Sequence, residues 1–245
     1  MRQNTENEQS ASTVAGSPPP SSRALTALVR AGGISAQVVA GTYVIGFLAM
    51  AAYLMPRGLT SPIDDPSGSL DFLVNHQAEM AGWYFVLYLL GGVAMALVSL
   101  GVSERLRAAP TLARIGAALG LIWSGMLVAS GSIAMIGQHA AVELHTQDPD
   151  LAISTWVSVS VIQDALGGGV EVVGALWAAV VGFAALRTRA LSAGLGGLAL
   201  GLAAVGMATV IPAASEAATD IFGLGLILWF TWLGLALGRR HDQAS

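Results

Sequence analysis

Cysteine is absent from the 245-residue chain, so disulfides, thiolate metal sites and cysteine nucleophiles are excluded. Lysine is absent too, every one of the 11 basic residues being arginine, and with it goes any Walker-type phosphate loop. Charged residues make up only 11% of the chain, less than half of the roughly 25% of an ordinary soluble domain. That leaves too little charge to cover a water-facing surface. The net charge is −4 and no basic block occurs, which argues against a nucleic-acid partner. No GxSxG, HExxH or strand-borne GxGxxG motif is present, and no histidine lies inside an apolar stretch to serve as base for a serine. The chain is not expected to be an enzyme, and no cofactor is expected.

Hydrophobic residues, by contrast, make up 54% of the sequence, and the mean hydropathy is +0.67. Six apolar stretches stand apart, at about 34–55, 82–101, 115–137, 167–186, 191–212 and 221–238, most of them near the ~20 residues that cross a bilayer as helix. Lipid offers no water to satisfy backbone groups, so helices are the economical choice. The alternation a β-barrel needs is missing from runs such as Leu195 to Val210. The expected architecture is all-α: a polytopic integral membrane protein with a six-helix transmembrane domain over 34–238. Residues 1–33, with Pro18-Pro19-Pro20, read as a disordered polar leader, and 239–245 as a short tail. A cleavable signal peptide competes for the first stretch through Ala49-Met50-Ala51, but the leader is long for an n-region and the apolar run overshoots an h-region. An uncleaved helix is the reading adopted.

Arginine positions set the orientation. Arg2, Arg23 and Arg30 precede the first span, Arg105, Arg107 and Arg114 join the second to the third, Arg187 and Arg189 join the fourth to the fifth, and Arg239 and Arg240 follow the sixth. The alternate loops hold only Arg57, while Asp64, Asp65, Asp71, Glu79, Glu143, Asp148, Asp150, Glu216 and Asp220 fall on their side. Both termini are therefore expected in the cytoplasm of a bacterial inner membrane, the Ala/Gly/Leu/Val bias with arginine over lysine being that of a GC-rich genome. Small-residue pairs at i, i+4 (Gly116 with Gly120, Gly197 with Gly201, Gly234 with Gly238) predict close helix approach. Trp83 and Tyr84 read as an interfacial belt, and Trp123, Trp177, Trp229 and Trp232 as packing or lipid-facing residues.

The outer loops carry ligand chemistry: His76 in the first, and His139, Glu143 and His145 in the second. Imidazole and carboxylate suit a divalent metal, and His139 and Glu143, four apart, would share a helical face. No recognised ligand motif joins them, so the preferred reading is solvated residues at helix ends. The segment 151–166 reads either as an amphipathic helix at the outer interface or as an extension of span four, with Gly167-Gly168-Gly169 as a joint.

Glu171 is the sharpest single residue. Val172 to Leu186 supplies only about 22 Å of apolar helix at 1.5 Å per residue against a hydrocarbon core of ~30 Å. The span must begin earlier, which draws Glu171 below the outer surface, with Asp164 two helical turns before it. Intramembrane carboxylates usually face a bundle interior or a wet cavity, so the pair is a candidate proton or cation site. The alternative is an interfacial acid at the favourable positive end of a helix starting at the glycines.

The C-terminal half, "LWAAVVGFAALRTRALSAGLGGLALGLAAVG" followed by "DIFGLGLILWFTWLGLALGRR", resembles the end of a bacterial six-span family whose domain has no assigned function. Leu186-Arg187 matches the close of one of its spans, and Trp229, Trp232, Gly238, Arg239 and Arg240 match its last. The resemblance implies a six-helix fold and transfers no site residues. The functional expectation is a non-enzymatic membrane protein that senses, scaffolds or binds a partner at its outer face. Its partners would be the lipid bilayer and a second copy or another membrane protein. The alternative is a small transporter or channel with Glu171 at its site.

Overall fold

A computed structural model describes residues 22–167 and 171–238. The leader's residues 1–21, the Gly168-Gly169 part of the expected joint and the tail 239–245 lie outside the described residues. Every element described is helical. Helix α1 spans Ser22–Ala49 and continues through a π turn, Met50–Leu54, and a 3-10 turn, Met55–Arg57. Then follow α2 (Pro66–Asn75), α3 (Gln77–Tyr84), a π segment (Phe85–Leu90), α4 (Gly91–Arg105), α5 (Pro110–His145), α6 (Pro149–Gly167), α7 (Val172–Thr188), α8 (Ala193–Ala208) and α9 (Ser215–Gly238).

The starts are written locally. Asp65 before Pro66 accepts from the Gly68 amide at 3.0 Å, Asp148 before Pro149 accepts from Leu151 N at 3.0 Å, and Ser192 accepts from Leu195 N at 3.3 Å. Pro at the first helical position with a carboxylate or hydroxyl cap is a strong start signal. Gly58 ends the first rod at φ 99° and Arg189 ends α7 at φ 55°, both in the left-handed region that stops a helix.

Five helical stretches are long and apolar enough to cross a membrane: Ala24–Arg57, Gln77–Arg105, Pro110–His145, Pro149–Thr188 (α6 and α7 taken together) and Ser215–Gly238. Helix α8 is shorter, with 16 residues. Neighbours in space run α1, α4, α5, α7, α8, α9 and back to α1, a closed ring. Polar stitches cross its seams: Gln37 Nε2 donates to Thr231 O (2.8 Å), Ser124 Oγ to Gly92 O (2.7 Å) and Trp229 Nε1 to Leu195 O (3.0 Å). Large apolar side chains point outward from the ring, among them Leu48, Val93, Ile122, Phe183, Leu224 and Leu228. Such a surface fits lipid and is untenable in water.

Two boundaries differ from expectation. The first helix starts at Ser22, so 22–33 is helix rather than leader. The cause is packing: the Gly32 and Gly101 backbones meet so closely that an added Cβ on either would lie 2.8 Å from the other's Cα, and Gly33 sits against Gly234 and Leu237. That contact orders a stretch whose composition alone reads as polar. Span four divides in two. Helix α5, at 36 residues, is about 54 Å long, and both α6 and α7 run antiparallel along it. Gly137 meets Val159, Ser130 meets Gln163 and Gly167, Trp123 meets Gly174, and Gly116 meets Val180. Segment 151–166 thus lies within a helix of its own, α6, aligned with the bundle at the end away from the arginine-bearing loops. Trp156 Nε1 ties it to Ser69 Oγ of α2 at 3.0 Å.

Candidate functional site at a helix break

The ring's axis is filled differently at its two ends. Toward the arginine-rich end, Trp123, Trp177, Trp229, Phe222 and Phe230 close the centre. Trp177 lies 5.7 Å from Trp123, 5.3 Å from Trp229 and 6.1 Å from Phe230 between ring centroids, and all five side chains are buried. Offset and edge-on aromatic pairs at these separations are attractive beyond the area they bury. The three tryptophans expected to pack do so, and they make a plug.

About one to two turns outward of the plug the axis opens. A chamber of about 170 Å³ is bounded by Tyr43 and Phe47 of α1, Trp83 and Tyr88 around the π segment, Thr219 of α9, and Glu171. A wider chamber of about 280 Å³ adjoins it, sharing Met50, Trp83 and Tyr88, and reaches the Thr60–Pro62 loop, with Asp164 in its wall. Ser61 is exposed there. Both π segments border these chambers: Met50 begins one, and Leu87 and Tyr88 lie in the other. A π turn inserts one residue and widens the helix locally, a device common at functional sites.

Glu171 stands just before the first turn of α7, outside helical geometry at φ −90° and ψ 23°. Its amide donates to Thr209 Oγ1 at 3.1 Å, tying the start of α7 to the end of α8. Its side chain is half-buried. Among the described residues no hydrogen bond or ion pair reaches the carboxylate; the ion pair found is Arg107 with Glu104 at 3.0 Å. From Glu171 to Arg187 runs about 24 Å of helix, short of the ~30 Å core, as the sequence arithmetic anticipates. Asp164 is exposed along α6 but lines the wider chamber. The two carboxylates therefore border adjoining chambers.

The break is braced from α5. Ser130 Oγ donates to Gln163 O at 2.9 Å and accepts from Gln163 Nε2 at 3.1 Å, which ties the last turns of α6 to α5. Trp83 and Tyr84 are not the expected interfacial belt. Trp83 Nε1 donates to Gly46 O at 3.2 Å, and Tyr84 is buried. The aromatic wall had one sequence signal, the four-residue spacing of Tyr84 and Tyr88, which shares a helical face. Tyr43, Ser130 and Gln163 had none.

The histidines are not brought together. His76 stacks on Phe72 (4.2 Å, 13°) with Nδ1 3.1 Å from Phe72 O, a helix-end role. His139 and Glu143 are exposed on α5, and His145 is half-buried. Among the described residues no three His, Asp or Glu side chains cluster as a metal site would require. Comparison of the chain with protein-family models, with curated proteins and with solved structures finds no match.

Proposed function

We propose that the chain is a non-enzymatic six-helix protein of a bacterial inner membrane, with both termini cytoplasmic, that acts as a sensor. A ligand enters its axial chambers from the outer side, and the occupied state is passed to a partner, either a second copy or another membrane protein. The observation that carries this reading is the asymmetry of the axis: the chambers reach the Thr60–Pro62 loop at one end, and beyond Leu127 and Gly223 at the other the bundle is filled by the buried aromatic cluster. A blind pocket suits binding, whereas a conduit would need the axis clear. In this proposal α8 serves as the sixth crossing, its ~24 Å completed by the turns that follow. Membership of the six-span family resembled by the C-terminal half belongs to the same proposal.

Absence of cysteine makes the test direct, since any introduced thiol is unique. In spheroplasts, Thr219→Cys, in the chamber wall, should react with a membrane-impermeant methanethiosulfonate reagent. Leu233→Cys, buried inward of the plug, should not. Equal labelling of both would mean that the plug is not a floor. One observation favours a second reading, transport. A crossing helix interrupted beside an acidic residue is a feature of transporter binding sites. Uptake into proteoliposomes that Glu171→Gln abolishes would put that reading first.

A further inference from the structure

The chemistry of the inner chamber specifies what it takes. We infer that the ligand is an organic ammonium ion with an apolar body, its charged head held between the Glu171 carboxylate and the aromatic faces of Tyr43, Trp83 and Tyr88. This deepens the sensor reading and rests on it.

Charge sign comes first. Glu171 has no cationic partner among the described residues, and no arginine lines either chamber. Gly167, the last residue of α6, lies in the same wall and brings no positive side chain to it. A carboxylate drawn into an apolar bundle is costly without a counter-charge, and an arriving cation supplies one.

Size and hardness come next. A bare calcium ion takes six to eight oxygen ligands and magnesium a near-ideal octahedron. Around Glu171 the lining residues with oxygen-bearing side chains are Tyr43, Tyr88 and Thr219, and the rest are apolar and aromatic residues and the glycines Gly46, Gly167 and Gly223. That lining cannot replace the water shell of a hard ion. It does match a weakly hydrated alkylammonium head, which is attracted to the faces of tryptophan and tyrosine, most strongly when desolvated. The wider chamber has an apolar side formed by Met50, Met55, Met80 and Trp156, which accommodates the apolar remainder, and a polar side with Ser69, Ser160, Gln163 and Asp164. Methionine is the side chain that best adapts to ligands of varied shape.

The test uses the full chain in spheroplasts carrying Thr219→Cys, with Met50→Cys as the second position should the first fail to fold. Two methanethiosulfonate reagents are compared, one bearing a trimethylammonium group and one a sulfonate. Their rates are normalised to those with a free thiol in solution. The expected ratio favours the ammonium reagent by at least about 30-fold, the weight of a desolvated charge pair, and falls to within about threefold when Glu171→Gln is added. Benzyltrimethylammonium should slow labelling, while its uncharged carbon isostere neopentylbenzene should not. Equal rates for the two reagents, or a preference that survives Glu171→Gln, overturn the inference and leave the outward-facing chamber standing. No reaction with either reagent at both positions overturns the chamber reading itself, and this inference with it.

Discussion

Trp229 and Trp177 sit edge to face in one cluster, both fully enclosed, yet their indole N–H groups are treated differently. Trp229 donates to Leu195 O across the α8–α9 seam at 3.0 Å. Trp177 Nε1, buried near Gly120 and Ser99, has no hydrogen-bond partner among the described residues. Trp229→Phe keeps an aromatic ring in place but removes the seam's donor and some volume. It should lower stability by roughly 1–2 kcal/mol, read as a lower midpoint of thermal unfolding in detergent; an unchanged midpoint would mean that the stitch contributes nothing. Single residues were legible in the sequence where their chemistry was out of place. Glu171 stands out because a carboxylate in a short apolar run has few explanations. Tyr43 and Gln163 do not, because a tyrosine or glutamine near a helix end is ordinary until its neighbours are known. His76, His139 and His145 show the converse: their side chains suggest ligand chemistry, but the sequence offers no motif that joins them, and no metal-type cluster forms among the described residues.

Among helices, the glycines divide into two populations that the sequence cannot separate. Gly32 and Gly101 bring α1 and α4 into backbone contact, and a Cβ on Gly101 would also stand 3.0 Å from Leu28 O. Gly197 and Gly201, an equally tidy i, i+4 pair, face open space. Gly101→Ala should therefore cost about 1–3 kcal/mol through overpacking against backbone that cannot step aside. Gly197→Ala should be neutral or mildly stabilising, since alanine is the better helix former by about 1 kcal/mol. Parallel unfolding curves of the two variants check this, and equal losses would contradict the packing described here. The long apolar helices were readable from hydropathy, whereas α2, which lies outside any apolar stretch, was not. The π segments at Met50–Leu54 and Phe85–Leu90 left no mark in the pattern, because a one-residue insertion in an apolar run changes no periodicity that can be seen. The extension of α1 back to Ser22 escaped for a related reason: Gly32 and Gly33 lower apparent hydrophobicity while creating the contact that orders the segment.

For the molecule as a whole, charge placement and shape agree. Arg30, Arg105, Arg114 and Arg187 lie at the plugged end of the ring, and the acidic loops and α2, α3 and α6 at the other. Reporter fusions after Arg107 and Arg189 should report cytoplasm and one near Asp65 the exterior; reversed signals would turn the pocket to face inward. The order of the ring could not be read from sequence, because which apolar faces meet depends on side-chain fit that hydropathy does not encode.

The contact between Gly32 and Gly101 also has a mechanical meaning. It brings α1 and α4 into backbone contact near one end, while the π turns and the chambers lie at the other; were α1 to tilt about that contact, the pivot would stand off centre. The outer arm, from Gly32 to Met50, is about 27 Å and the inner arm, back to Ser22, about 15 Å. A ligand that spreads Met50 from Trp83 by a given distance would move the start of α1 the opposite way by a little over half as much. The aromatic cluster fills the centre of the bundle, yet a tilt about this pivot would carry displacement past it.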